Sequence, residues 1–196
     1  VKDNVFTHPK ENVIFIGWSK QPLTVIPTDG KAPQEMLQPK DSFTIMETTT
    51  LYAVWAMDEN GNHIPDYQES LSMNYDANGG SGSVIDEMTY HVKDQVLVKD
   101  NAFTYPKENV IFIGWSKQPF TVILADGKVP QEMLQPKDSF TIMETTTLYA
   151  VWAMDENGNH IPDYQESLSM NYDANGGVGS VIDEMTYHVK DQVLVK

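Results

Sequence analysis

The chain has 196 residues, 40% of them hydrophobic, so it can bury a core, and it carries no cysteine, which removes disulfides and thiolate metal sites from consideration. Its 28 acidic residues against 13 basic ones give a net charge of −15, and every basic residue is Lys. A chain with this balance and no Arg is a poor fit to nucleic acid, and it attracts divalent cations instead.

Residues 1–97 align without a gap on residues 98–194 and differ at only seven positions: Val5/Ala102, His8/Tyr105, Leu23/Phe120, Pro27/Leu124, Thr28/Ala125, Ala32/Val129 and Ser81/Val178. Four of the seven fall between 23 and 32, which reads as a tolerant loop. The alternative is a variable contact loop, 120–131 in the second copy. The chain starts inside a repeat, so a piece of something longer is expected. No apolar run approaches a membrane span.

In chain order, the first distinctive stretch is Asp58–Glu69, DENGNHIPDYQE, repeated letter for letter at Asp155–Glu166. Oxygen-bearing groups fall at positions 1, 3, 5, 9 and 12 (Asp58, Asn60, Asn62, Asp66, Glu69), and position 7 (Ile64) can offer its carbonyl. The second copy supplies Asp155, Asn157, Asn159, Ile161, Asp163 and Glu166. This is the ligand schedule of an EF-hand-type calcium loop. One departure is that position 6, normally Gly, is His63 or His160, while the Gly sits at position 4. With only three carboxylates, a Ca²⁺ affinity of roughly 10⁻⁴ to 10⁻³ M is expected. Asp, Asn, Gly and Pro also make turns without a metal, so a plain Asx-turn linker remains the competing reading. In that case the stretch is expected to be a hinge.

Next, Leu71, Met73 and Tyr75 alternate with polar residues, the period of a half-buried strand, which stops at the Asn78–Gly82 turn. Asp86-Glu87 reads as a solvated turn. Strand segments follow at 89–92 and 95–98. After the Pro106–Asn109 turn, Val110–Trp115 is β-branched and aromatic, which suits a central strand; 139–143 and 147–152 complete the set. No long segment has a 3.6-residue period, so the fold class is mostly β, with at most a short helical turn per module. The four Trp residues sit at strand ends and read as core. The five His residues form no zinc pair, and no nucleophile elbow or phosphate loop is present.

The ordered trio YDANGG, FIGWS and TLYAVW resembles the Listeria-Bacteroides repeat family, the internalin-type B repeats, over Leu71–Trp152. The dodecamer with its Ile-Pro-Asp is similar to bacterial thrombospondin-type-3-like calcium loops. The first resemblance implies small β-grasp-like modules in tandem on an extracellular bacterial, mostly Gram-positive, cell-surface protein, without enzymatic activity and serving as stalk or adhesin. In that frame, 71–153 is a complete module, 58–70 and 154–167 are acidic linkers, and 1–57 and 168–196 are partial modules. Expected partners are neighbouring repeats, a host protein or glycan for an adhesin, and, through the incomplete modules, a second copy joined head-to-tail or by strand exchange. Near-identical copies allow the 71–97 hairpin to pair forward onto 98–152 or backward onto 1–57. The shorter connection favours forward pairing.

Overall fold

The computed structural model describes residues 1–123 and 127–195. The fold is mostly β: β1 (Val13–Ser19), β2 (Tyr52–Met57), β3 (Met73–Asp76), β4 (Gln95–Leu97), β5 (Val110–Ser116), β6 (Ser139–Thr141) and β7 (Thr146–Met154). The helical elements are two 3₁₀ turns, Asp66–Gln68 and Asp163–Gln165, and both lie at the end of a dodecamer. Strands form where β-branched and aromatic residues cluster, because those side chains pack well on a pleated surface. Packing divides the chain into two compact units, Val1–Met73 with Glu87–Val96 and Ser139–Thr146, and Asn74–Asp86 with Leu97–Asp138 and Thr147–Lys196.

In the first unit β1 and β2 pair antiparallel from Val13↔Met57 to Ser19↔Tyr52, with a bulge between Phe15 and Gly17. On the outer edge of β1, Trp18 and Leu37 exchange both backbone hydrogen bonds and Gln38 Nε2 donates to the Ile16 carbonyl. Ile26 lies parallel to β2, donating to the Trp55 carbonyl and accepting from Met57. Its side chain joins Val54 and Ala56 in a small core against Ile16, Met36 and Tyr67. Within the same unit, Leu71 and Tyr90 form an antiparallel bridge, and Lys93 and Asp94 hydrogen-bond to both backbone groups of Ile142.

The second unit repeats the plan and adds a strand, giving the sheet order β3-β7-β5. The register of β5 on β7 copies that of β1 on β2, down to the bulge between Phe112 and Gly114. The 71–97 segment therefore pairs forward. The middle strand is β7, not Val110–Trp115 as its composition suggested. Among the described residues, the outer side of β5 has a backbone partner at Trp115–Leu134, and Gln135 Nε2 donates to the Ile113 carbonyl, whereas β7 is flanked by β5 on one edge and by β3 and the Ile123 bridge on the other. β7 is accordingly buried from Ala150 to Met154 without a break.

Trp18, Trp115 and Trp152 are core and Trp55 is half-buried: Trp115 is fully buried, in edge contact with Tyr75, Phe103 and Phe112, and its indole N–H donates to the Lys99 carbonyl at 3.1 Å. Leu71 and Met73 are buried and Tyr75 half-buried, as their alternation implied. The Asp86 side chain is a correction, since it is withdrawn from water and lies 4.0 Å from Lys99 Nζ rather than forming a solvated turn. Of the variable positions, Phe120 packs on the Ile123–Val151–Ala153 core, while Leu124 and Ala125 lie outside the described residues. No helix among the described residues is long and apolar enough to cross a membrane.

Candidate metal-binding loops

The two dodecamers fold alike. After β2 the chain enters the loop at Asp58, whose backbone N–H donates to Asn12 O and whose side chain is nearly fully buried. Its carboxylate accepts the N–H groups of Asn62 and His63, both at 3.1 Å, which closes a tight turn from within. Asn60 and Asn62 build successive Asx turns, Asn60 Oδ1 accepting from Asn62 N–H and Asn62 Oδ1 from Ile64 N–H. These turns require left-handed backbone, and it falls at Gly61 (φ 72°) and at His63 (φ 68°). The sixth position thus adopts the left-handed conformation of a calcium loop although it carries an imidazole, at a steric cost of about 1–2 kcal/mol.

The loop's far end folds back on its start. Glu69 accepts from Asn60 Nδ2 at 3.1 Å and from Asn62 Nδ2 at 2.7 Å. Asp66, fully buried on the 3₁₀ turn, accepts the Glu59 N–H through both oxygens at 3.0 and 3.2 Å. The second loop repeats this set: Asp155 caps Asn159 and His160, Glu166 holds Asn157 and Asn159, Asn159 Oδ1 accepts from Ile161 N–H, and Asp163 accepts from Glu156 N–H. Four of the six sequence-predicted ligands in each loop are thereby brought into one hydrogen-bonded cluster. Asp66 and Asp163 face the loop's entrance instead, and Ile64 and Ile161 enter the network through their N–H groups. Among the described residues no three acidic or imidazole side chains stand together as a ready-made metal set.

Within its own unit each dodecamer is held by contacts to residues outside it. Tyr67, one residue into the 3₁₀ turn, packs on the Ile26–Val54–Ala56 core, and Tyr164 does the same on the core of Ile123, Val151 and Ala153. Glu59 is paired with Lys93 Nζ at 2.8 Å and accepts from Asn12 Nδ2, while Asn60 Nδ2 also donates to the Met143 carbonyl at 3.0 Å. Glu156 is paired in the same way with Lys190 at 2.6 Å and with Asn109. The lysines were not legible as part of the loop because they are distant in sequence, and a Lys beside Asp looks like any solvated turn. Both pairs are open to solvent, which screens them, so they position the loop more than they stabilise it.

The charges are not at rest with one another. Burial, and then the neighbouring Glu59, Glu69 and Asp58, push the Asp66 carboxyl above its ordinary value, with the Glu59 N–H opposing. Lys93 holds the Glu59 carboxyl below its ordinary range. A raised carboxyl favours the fold fully below 3.8 and loses that contribution as pH rises through its folded value; the lowered Glu59 acts in the opposite sense, losing its contribution as pH falls below 4.5. With divalent ions chelated, D66N, whose amide oxygen still accepts the Glu59 N–H, is therefore expected to gain on the wild type at neutral pH. That advantage should shrink as pH falls toward 4. Urea midpoints measured across that range check it, and a difference that ignores pH would refute the assignment.

The Asp58, Asn60, Asn62 and Glu69 side chains bring only oxygen acceptors suited to a cation; the Asn60 and Asn62 oxygens are now engaged in the Asx turns and Glu69 is held by their amide N–H donors. An open hollow lined by Glu59, Asn60, Asn62, Met143 and Glu144 adjoins the first loop. The arrangement suits a hard cation such as Ca²⁺, not a soft one. No family model matches the chain, and no curated protein or solved structure matches it significantly.

Proposed function

We propose that this chain is a non-enzymatic tandem-repeat segment of an extracellular bacterial surface protein, acting as a spacer whose acidic elbows bind Ca²⁺ weakly. The observation that carries the reading is the elbow itself, built twice from the same cluster of Asp, Asn and Glu around left-handed turns and pinned to the preceding sheet by a tyrosine. An ion would take over from the Asn N–H groups as the partner of Glu69 and Glu166, and would offset the burial, and with it the repulsion from Glu59, Glu69 and Asp58, that raise the Asp66 carboxyl. The cell-surface setting rests on the family resemblance of YDANGG, FIGWS and TLYAVW.

The test has two arms. At millimolar Ca²⁺ well above a dissociation constant of about 10⁻⁴ to 10⁻³ M, each site should add about 1–3 kcal/mol, raising the melting temperature by roughly 3–10 °C. The double variant E69Q/E166Q should lose that rise. Identical melting in Ca²⁺ and in chelator removes calcium from the proposal. The spacer role is tested separately by scattering from chains lengthened by one or two further repeats, whose maximum dimension should grow by a constant increment per repeat. An adhesin contact at 120–131 has less support, because Phe120, one of its distinguishing residues, packs on the core.

A further inference from the structure

In each unit three turns that are far apart in sequence meet on a single carboxylate oxygen. In the first, Glu59 Oε2 accepts from Asn12 Nδ2 at 3.1 Å and lies 2.8 Å from Lys93 Nζ; in the second, Glu156 Oε2 accepts from Asn109 Nδ2 at 3.2 Å and lies 2.6 Å from Lys190 Nζ. Asn12 immediately precedes β1, Glu59 belongs to the acidic elbow that leaves β2, and Lys93 stands on the 91–94 turn. Asp94 closes that turn by accepting the His91 N–H at 2.7 Å and returning its own N–H to the His91 carbonyl, while the Lys93 and Asp94 backbones are held on Ile142. The elbow has a second hold on the same region, since Asn60 Nδ2 donates to the Met143 carbonyl.

Two of the three turns are left-handed at the residue that reaches Glu. Asn12 and Lys93 have φ of 56° and 74°, and Asn109 and Lys190 of 58° and 70°. Asn tolerates this backbone, whereas Lys adopts it at a steric cost that Gly would avoid. Lys40 and Lys137 adopt it too, and among the described residues neither is paired with a carboxylate, so the turn supplies the direction and the ammonium supplies the attachment. The Glu59 side chain is 13% exposed and that of Lys93 52%, so salt reaches the ammonium and the attachment is adjustable.

We infer that Glu59 with Lys93, and Glu156 with Lys190, form a charge latch that fixes the end of each antiparallel sheet to a later turn of the chain, and that ionic strength or loss of the lysine charge loosens this joint while both sides stay folded. The latch goes beyond the spacer reading and needs no bound ion.

The test stays within the first unit. The chain has no cysteine, so spin labels at Y52C on β2 and T89C beside the 91–94 turn, both exposed positions, report the joint. With divalent ions chelated, the distance distribution should be narrow at about 0.01 M salt and at least about twofold wider at about 1 M, where the screening length falls to about 3 Å. K93M should be wide at both salt concentrations, and K93R, which keeps the charge, should be narrow at low salt. K93G removes the charge while relieving the left-handed turn, so it should be as wide as K93M. Amide exchange across 52–57 should be unchanged in K93M, because the sheet itself is not released. A width indifferent to salt, a K93M or K93G chain as narrow as the wild type, a K93R chain as wide as K93M, or lost protection across 52–57 would each overturn the latch.

Discussion

Trp115→Ala is expected to destabilise the sheet β3-β7-β5 by about 3–5 kcal/mol, and Trp18→Ala to cost β1-β2 distinctly less. Both rings lie on their bulged strand beside the same Phe, Phe112 or Phe15, and both indoles donate to a Lys carbonyl at 3.1 Å. The difference is the cover. Trp115 has Tyr75 of β3 across it at 4.9 Å between ring centroids, and Tyr75 is itself fixed by accepting the Lys99 N–H at 3.0 Å. Trp18 has Phe6 and Phe15 but no ring from a β3, so the cavity left by its removal opens partly to solvent and costs less. Amide exchange reads the two sites separately: protection should fall steeply across 146–154 for the first variant and modestly across 52–57 for the second. Equal losses would mean that β3 adds nothing to the core.

Gly114→Ala should be similarly severe, about 2–4 kcal/mol, and here the first copy should behave like the second. At Gly114 the backbone stands at φ 149°, and a Cβ would meet Met133 Cγ and Gln135 Nε2 at 2.8 Å and Leu134 O at 3.0 Å. The carbonyl cannot give way, because Leu134 is held to Trp115 by two backbone hydrogen bonds. Backbone strain and overpacking each cost about 1–3 kcal/mol. Gly17 has the same surroundings, with Met36 Cγ at 2.8 Å and Leu37 O at 3.0 Å, so Gly17→Ala should cost about as much. Urea unfolding of the two variants checks this; a large gap between them would show that the bulge depends on β3 after all.

These two substitutions separate what is local from what is not. The bulge, the Asx turns and the left-handed His63 and His160 depend on residues close in the chain or on one strand's immediate neighbour, and each occurs in both copies with the same geometry. Their legibility in the sequence follows from that. The strands at 71–76, 95–98, 110–115, 139–143 and 147–152 were visible by the same reasoning, in alternation and in β-branched content. The identity of the middle strand was not visible, because a strand's rank in a sheet is set by what reaches its two edges, and composition cannot report that. The closure of the acidic loops was half visible: oxygen spacing pointed to Asp58, Asn60, Asn62 and Glu69, but nothing local pointed to Lys93, to the Tyr67 anchor, or to Asp86 being buried beside Lys99.

The duplicated sequence makes the division unusually clear. By itself the sequence determined a mostly β chain, its turns, its repeat and the regular spacing of oxygen-bearing side chains in the acidic loops, since these depend on backbone preference and periodicity over a few residues. Only the tertiary structure decided which of two near-identical stretches becomes a strand. Ser139–Thr141 pairs and Ile142 is buried, while the same letters at 42–45 remain unpaired, because a strand is stable only when a second backbone takes its hydrogen bonds and an apolar face covers its side chains.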